Sequence, residues 1–453
     1  MNEMEELMSM CDAVPFPDPD RLAKVRARVA DAITKSPPAG RGTRGPRISK
    51  LGHRWQALAV PLAAAVAVTA VVVGTQAVFS TIHTSVAPRN HSAGATTSGH
   101  GRAVGPALPA VAYVTGNGYS GTAVPILTAT NKALPPISVG RYPMAVAITP
   151  DGKTAYVANL HSATVTPIQV ATNTALNPVS VGNGPIAIAI TPGGKTAYVV
   201  NQSPGSVTPI RTATNTALPA ITVGRNPGAI AITPDSKTAY VLNSGTDTVT
   251  PIRTATNTAL RAITVGENPW GIAITSDGKT AYVVCAGSGT VVPINTATNT
   301  AGTPIRAGRW PFAIAITPDG KTAYVTVRKS MSGRVKGAVV PIRIATNTAL
   351  PPITVGRDPI AIAITPDGKA AYVANDVLSG SVTPITVATN TALKPVKVGP
   401  DPFGVAITPD GRSAYVPNSN ADTVTPIRIA TNTALKPITV GRYPEGIAIT
   451  RIP

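Results

Sequence analysis

The chain has 453 residues and a formal net charge of +19, from 39 Lys and Arg against 20 Asp and Glu. This basic balance favours anionic partners, such as cell-wall polymers, lipid head groups or acidic proteins. The chain has only 2 cysteines, Cys11 and Cys285, which is too few for a fold built on disulfide bonds.

Residues 1–54 are predicted to form a cytoplasmic head with one short helix and a basic link. Apolar residues recur at a spacing of three to four from Leu22 to Ile33, between Asp20 and Lys35, and the stretch PFPDPD precedes them. The same pattern is typical of a solvated amphipathic helix that has no partner. Both interpretations of the head remain open.

Residues 55–82 are predicted to form a single transmembrane helix. Within them, the 23 residues of 57–79 carry no charge, which is enough to cross a bilayer. Basic residues crowd the N-terminal flank up to Arg54 and none follows until Arg89, so the N-terminus is expected in the cytoplasm and the C-terminal part outside the cell. A cleaved signal peptide is the alternative, although its charged leader would exceed 50 residues. Residues 83–108, rich in Ser, Gly, Thr, Ala and Pro, are typical of a flexible stalk.

Residues 109–453 repeat one hairpin. Its first copy, Ala147–Val157, joins two apolar runs through Pro-Asp-Gly-Lys, residues that favour a tight turn. Two further short strands complete each unit. One Tyr per unit recurs every 42 or 43 residues, except for 6 extra residues between Tyr324 and Tyr372, which indicate a longer loop within 328–340. The repeated tyrosines are Tyr113, Tyr156, Tyr198, Tyr240, Tyr282, Tyr324, Tyr372 and Tyr415. Four-stranded repeats of this length are the signature of β-propeller blades.

The two ends of the repeat region complement each other. VAYVTGN (Val111–Asn117) has no first strand before it, and PEGIAIT (Pro444–Thr450) has no second strand after it. We therefore expect the C-terminal strand to complete the N-terminal blade, so that about eight four-stranded blades form a ring with no open sheet edge.

Three short segments carry a family resemblance: TAYVAN (Thr154–Asn159), YVVN (Tyr198–Asn201) and YVLN (Tyr240–Asn243), with TPDGK before the first and ATNT after each. With these motifs the chain resembles the YVTN family of β-propeller repeats, found in surface-layer-type and other secreted bacterial propellers. The resemblance implies an all-β propeller. Propellers of this kind usually have seven blades, so seven is the alternative to the count of eight.

The repeats offer few groups for catalysis. His161 is the only histidine of the repeat region, and we interpret it as a solvated loop residue. Cys285 takes a position that other units give to Asn, and is interpreted as a buried, unreactive thiol. Six carboxylates recur at one hairpin turn and are assigned to turn formation: Asp151, Asp235, Asp277, Asp319, Asp367 and Asp410. We therefore predict no catalytic residue, no metal ligand and no cofactor.

The loop before each first strand varies between its fixed Gly and Pro and just after the Pro. In a propeller such loops line one rim of the central channel, where ligand sites usually lie. The alternative is that these loops are simply exposed and free to vary. The candidate ligand-binding residues are Arg141, Tyr142, Arg225, Asn226, Glu267, Trp270, Arg309, Trp310, Phe312, Arg357, Asp358, Asp401, Phe403, Arg442, Tyr443 and Glu445.

These patterns favour a membrane-tethered extracellular propeller that binds or scaffolds an anionic cell-envelope or protein ligand. Nucleic acid is not expected, because the compartment and the absence of a nucleic-acid motif argue against it. Two alternatives come from other classes: a propeller enzyme, either a lyase or similar to the quinoprotein dehydrogenases, and a structural surface-layer protein.

Overall fold

The computed structural model describes residues 110–118, 121–329 and 335–451. These residues form eight antiparallel sheets, which are the blades of an all-β propeller. The predicted head (1–54), transmembrane helix (55–82) and stalk (83–108) lie outside the described residues. Among the residues that the structure does describe, no helix is long and apolar enough to span a membrane.

Each blade has four strands, numbered here in chain order. The first strands are β5 (Pro143–Ile148), β10 (Asn183–Ile190), β15 (Pro227–Ile232), β20 (Pro269–Ile274), β25 (Pro311–Ile316), β30 (Pro359–Ile364), β35 (Ala406–Ile407) and β40 (Pro444–Arg451). The second strands are β1 (Ala110–Gly116), β6 (Thr154–Asn159), β11 (Thr196–Ser203), β16 (Thr238–Asn243), β21 (Thr280–Cys285), β26 (Thr322–Val327), β31 (Ala370–Asn375) and β36 (Ser413–Asn418).

The third strands are β2 (Thr122–Leu127), β7 (Thr164–Gln169), β12 (Ser206–Arg211), β17 (Thr248–Arg253), β22 (Thr290–Asn295), β27 (Lys336–Arg343), β32 (Ser381–Thr386) and β37 (Thr423–Arg428). The predicted longer loop is confirmed, since it separates β26 from β27.

The fourth strand of each blade is split into two short pieces that both pair with the third strand. These pieces are β3 (Lys132–Ala133), β4 (Ile137–Ser138), β8 (Thr174–Ala175), β9 (Val179–Ser180), β13 (Thr216–Ala217), β14 (Ile221–Thr222), β18 (Thr258–Ala259), β19 (Ile263–Thr264), β23 (Thr300–Ala301), β24 (Ile305–Arg306), β28 (Thr348–Ala349), β29 (Ile353–Arg357), β33 (Thr391–Ala392), β34 (Val396–Lys397), β38 (Thr433–Ala434) and β39 (Ile438–Thr439). Short 3-10 helices cover Ile344–Thr346, Ser419–Ala421 and Ile429–Thr431.

The ring closes through the two ends of the described chain. Blade 1 contains β40 and β1 to β4, blade 2 contains β5 to β9, and each later blade takes the next five strands, up to β39 in blade 8. β40 pairs with β1 in antiparallel register, with Ala112 opposite Ile449. Each first strand contacts the next around the ring, including β35 with β40 and β40 with β5. The count of eight and the predicted closure are therefore confirmed, and the seven-bladed alternative is wrong.

The hairpin between the first and second strands folds as its residues predict. In blade 2, Thr149 Oγ1 donates to Asp151 Oδ1 at 2.6 Å, and the Lys153 amide donates to the same oxygen at 3.1 Å. Gly152 adopts a φ of 73°, which glycine reaches without steric cost. The same two bonds recur at Asp235, Asp277, Asp319, Asp367 and Asp410, so their predicted turn role is confirmed.

Each repeated tyrosine links its blade to the next one. Tyr156 is fully buried, and its hydroxyl donates to Asn215 Oδ1 in blade 3 at 2.6 Å. Burial raises the pKa of Tyr156 to about 12, so the hydroxyl keeps its proton. The other pairs are Tyr113–Asn173, Tyr198–Asn257, Tyr240–Asn299, Tyr282–Asn347, Tyr324–Asn390, Tyr372–Asn432 and Tyr415–Asn131. The pair of Tyr415 and Asn131 joins blade 8 to blade 1, so these bonds run around the whole ring.

The asparagine of each pair has a second role. Asn215 adopts a φ of 53°, a left-handed conformation that Asn tolerates better than most residues. The ATNT turn therefore needs Asn both for its backbone and for its side-chain acceptor.

Replacing Tyr198 with Phe should lower the free energy of unfolding by about 1 kcal/mol, because the hydrogen bond to Asn257 is lost. Urea denaturation of the full chain measures this change. Asn257→Gly keeps the left-handed turn and removes the acceptor, so the double variant should be less destabilised than the two single changes added together. Full additivity would show that the two side chains do not interact.

Candidate ligand-binding face

Two sets of loops lie on the same face of the propeller. The loop before each first strand meets the loop between the second and third strands of the same blade. In blade 2 the Leu160 amide donates to Tyr142 O at 2.9 Å, and the His161 amide donates to Arg141 O at 3.2 Å. We call this side the loop face. The hairpins and ATNT turns lie at the other ends of the strands, which we call the hairpin face.

The fixed glycine of the loop face is required by a buried asparagine. Asn159 is fully buried, and its Nδ2 donates to Thr166 Oγ1 at 2.9 Å. A Cβ atom added at Gly140 would lie 2.6 Å from Asn159 Cβ, so no larger residue fits. In blade 5 Cys285 stands in place of this Asn and is fully buried, and burial raises the pKa of its thiol to about 12. The predicted burial of this thiol is confirmed.

The residue just before the fixed proline is left-handed in every blade. Its φ is 53° at Tyr142, 56° at Trp310 and 49° at Tyr443. Asn, Asp or Gly fills the position in the other blades: Gly184, Asn226, Asn268, Asp358 and Asp401. Bulky residues seldom adopt this conformation, and such strain is held in place by the surrounding structure, often at functional sites.

The sixteen candidate residues fall into three groups by exposure. The exposed ones are Arg141, Arg225, Asn226, Glu267, Arg309, Arg357 and Arg442. Those of intermediate exposure are Trp310, Asp401, Tyr443 and Glu445. The buried ones are Tyr142, Trp270, Phe312, Asp358 and Phe403. The arginines therefore face solvent, whereas most of the aromatic residues pack inside the protein.

A buried cluster joins blades 5, 6 and 7. The rings of Trp270 and Phe312 are stacked, with centroids 5.6 Å apart. The guanidinium of Arg328 lies 5.3 Å from the centre of the Phe312 ring and forms a bidentate ion pair with Asp358. Both side chains of this ion pair are only 11% exposed. Sequence reasoning did not single out Arg328, which begins the longer loop, and the only available signal was that insertion.

A smaller contact occupies blade 2. The rings of Tyr142 and His161 lie 4.1 Å apart, and Arg141 Nη2 donates to the His161 carbonyl at 3.4 Å. Burial and the nearby Arg141 lower the pKa of His161, so its imidazole is uncharged at neutral pH. His161 was predicted to be a solvated loop residue. It is instead only partly exposed and packs against the ring of Tyr142.

Several acidic side chains of the loop face are held by internal contacts. Asp247 Oδ1 accepts the Asn268 amide at 2.7 Å, and Asp422 Oδ1 accepts the Tyr443 amide at 3.0 Å. Asp358 is paired with Arg328, and Asp401 accepts the Asn420 side chain. The exposed charge of this face consequently comes mainly from arginines.

A cleft of about 340 Å³ opens on the loop face between blades 5 and 6. Its lining residues are Ala286, Gly287, Ser288, Gly289, Arg306, Gly308, Arg309 and Trp310. Two of the sixteen candidates, Arg309 and Trp310, meet there. In the parts of the chain that the structure describes, no three His, Cys, Asp or Glu side chains come together as metal ligands would.

No protein-family model matches the chain, and no curated protein matches its sequence. Solved structures do match. Hydrazine synthase of Kuenenia stuttgartiensis aligns with 64% of this chain and 96% of its own length, at 26% identity and a TM-score of 0.55. Dihydro-heme d1 dehydrogenase NirN in complex with DHE aligns with 75% of this chain and 74% of its own, at 15% identity and a TM-score of 0.63. A functionally unknown protein of Desulfotomaculum acetoxidans aligns with 76% of this chain and 99% of its own, at 17% identity and a TM-score of 0.54. What the chain shares with these proteins is the β-propeller fold.

Proposed function

We propose that this protein is a membrane-tethered extracellular binding or scaffolding module, whose loop face takes an anionic ligand of the cell envelope or an acidic protein. The observation that carries the proposal is the set of exposed arginines in the loops before the first strands: Arg141, Arg225, Arg309, Arg357 and Arg442. Basic residues outnumber acidic ones about two to one over residues 107–453. A surface of one dominant sign attracts ligands of the opposite sign.

The hairpin face is also basic, because the exposed Arg211, Arg253, Arg343 and Arg428 end third strands there. There, exposed lysines lie beside the turn carboxylates, for example Lys237 Nζ at 3.3 Å from Asp235 and Lys279 Nζ at 3.7 Å from Asp277. These lysines have acidic neighbours, but the four arginines form no ion pair among the described residues, so charge alone does not distinguish the two faces. The proposal concerns the loop face because its residues differ from blade to blade, as those of a specific binding surface do, whereas the hairpin face repeats nearly the same residues.

The tether is part of the proposal. The uncharged residues 57–79 would cross the membrane, and the basic flank up to Arg54 would keep the N-terminus in the cytoplasm. Protease added to intact cells should then remove the propeller and spare the head.

The binding test compares two quadruple variants of the full chain, purified in detergent. The loop-face variant replaces Arg225, Arg309, Arg357 and Arg442 with Gln. The hairpin-face variant replaces Lys153, Lys237, Lys279 and Lys321 with Gln. Both remove four positive charges, so net charge is matched.

Retention on an anionic cell-wall fraction should be salt-sensitive for the natural sequence and fall about tenfold or more for the loop-face variant. The hairpin-face variant should be retained nearly as well as the natural sequence. Equal losses in both variants would contradict a binding site on the loop face.

An enzymatic role is the second candidate, and the similarity to hydrazine synthase and dihydro-heme d1 dehydrogenase is the observation that favours it. Turnover of a substrate that is abolished by one loop-face substitution, with melting unchanged, would support this role over binding alone.

A further inference from the structure

At two places on the loop face, an aspartate of one blade accepts a hydrogen bond from a backbone amide in the loop that leads to the next blade. In blade 4, Asp247 Oδ1 accepts the amide of Asn268 at 2.7 Å. In blade 8, Asp422 Oδ1 accepts the amide of Tyr443 at 3.0 Å. In both cases the amide belongs to the left-handed residue before the fixed proline. This amide therefore has the geometry to bind a carboxylate.

Blade 5 has the same backbone but no carboxylate. The Ala307 amide donates to Gly289 O at 3.0 Å, as the Val265 amide donates to Asp247 O at 3.0 Å and the Val440 amide to Asp422 O at 2.9 Å. Gly289 thus occupies the position of the two aspartates, and its φ of 70° is close to theirs. The equivalent amide is that of Trp310, and within the described residues it donates no hydrogen bond.

Two arginines line the cleft beside this amide. Arg306 and Arg309 are both exposed, and both line the cleft of about 340 Å³. Over the described ranges, neither guanidinium makes a hydrogen bond or an ion pair with the protein. Gly287, Ser288 and Gly289 keep the cleft open, because their side chains are small or absent. Glu267 neighbours Gly287 but is exposed to solvent, where screening weakens its repulsion of an anion.

A comparison with blade 3 shows what the cleft adds. Gly205 also stands in place of the capping aspartate there. However, Thr222 takes the position of Arg306, and Arg225 Nη2 is directed to the Gly245 carbonyl at 3.5 Å. Blade 5 combines the uncapped amide with two arginines that have no protein acceptor.

We infer that the cleft between blades 5 and 6 binds one anionic group of the ligand, a carboxylate or a phosphate. The Trp310 amide donates to this group as the amides of Asn268 and Tyr443 donate to the aspartates, and Arg306 and Arg309 supply charge-assisted hydrogen bonds. Trp310 itself also lines the cleft. This inference rests on the proposed function, because it names the point on the loop face where the anionic ligand is held.

Isothermal titration of the full chain in detergent, with inorganic phosphate in one series and acetate in another, tests the inference. One anion should bind per chain. Arg309→Gln should weaken binding about tenfold, since it removes a charged hydrogen-bond donor. Arg253→Gln is the matched control, because Arg253 is an exposed arginine at the hairpin end of β17, away from the cleft and outside the loop face. It should bind like the natural sequence.

Gly289→Asp supplies the missing carboxylate and should abolish anion binding. Its Cβ would lie 2.6 Å from Gly308 O, so Gly308 must shift to accommodate it. If this variant fails to fold, Arg306→Gln serves in its place and should weaken binding as Arg309→Gln does. Preference for phosphate over acetate points to a phosphate-bearing polymer, and the reverse preference points to carboxylates of a polymer or a protein.

The inference is overturned if neither anion binds the folded natural protein, or if Arg253→Gln weakens binding as much as Arg309→Gln. Failure of this inference and failure of the proposed function are distinguishable. Retention on the wall fraction without anion binding at the cleft leaves the function standing. Anion binding that Arg309→Gln weakens, without retention on any wall fraction, leaves the cleft standing and removes the proposed role.

Discussion

Removing Pro444–Arg451 should lower the midpoint of thermal unfolding by roughly 10 °C or more and broaden the transition. These residues are the first strand of blade 1, and their Ile447, Ala448 and Ile449 are buried. Burying each large apolar side chain contributes about 1.5 to 3 kcal/mol. Their loss also exposes the edge of β1 and removes the contacts that β40 makes with β5 and β35. Circular dichroism of the full and shortened chains measures the effect.

A relocated strand provides the control for this truncation. The strand residues Pro444–Thr450 can be placed directly ahead of Val111, joined to it by the Pro-Asp-Gly-Lys turn that other blades use. Blade 1 would then be complete within one segment, and the melting temperature should return close to that of the natural chain. A shortened protein that melts like the natural one would show that closure contributes little to stability.

Replacing Asp358 with Asn should lower the free energy of unfolding by about 3 kcal/mol, because Arg328 would remain buried without a counter-charge. Both side chains of this pair are 11% exposed, and Arg328 also packs on the Phe312 ring. Asn tolerates the left-handed conformation at this position, where φ is 50°, so the backbone need not change. Urea denaturation followed by tyrosine and tryptophan fluorescence measures the loss.

An exposed ion pair of the hairpin face is the matched control. Asp277→Asn removes the same charge beside Lys279, where the two side chains are 54% and 82% exposed, and should cost less than about 1 kcal/mol. Adding Arg328→Met to Asp358→Asn should restore part of the stability, since no charge is then left buried. If the changes at Asp277 and Asp358 had equal effects, the buried pair would not stabilise the junction of blades 5 to 7.

The fold could be predicted from the sequence because one pattern repeats. The Pro-Asp-Gly turn between Thr149 and Thr154 forms its bonds within six residues, so local chemistry decides it. Closure by β40 followed from counting strands. The bonds between tyrosines and asparagines did not follow, because every unit carries both residues and the sequence does not say which Tyr meets which Asn. That pairing depends on how neighbouring blades stack.

The loop-face residues show the limit of sequence reasoning most clearly. Trp310 comes just before the fixed proline and is partly exposed, whereas Trp270 comes just after it and is buried. The difference is one position: the residue before the proline has a left-handed backbone, and the residue after it lies at a β-bulge. The cleft could not be predicted from the sequence either, because it depends on the absence of a side chain at Gly289, where two other blades have an aspartate.

The closing strand also bears on how the protein is made. Ala112 leaves the ribosome on the order of tens of seconds before Ile449, the residue it will pair with, at usual rates of synthesis. During that interval the edge of β1 is unpaired, and its backbone amides and carbonyls can form hydrogen bonds with another extended chain. We therefore expect the nascent chain to need a chaperone until β40 has been synthesised. Cells with too little of such a chaperone should accumulate the protein as aggregate.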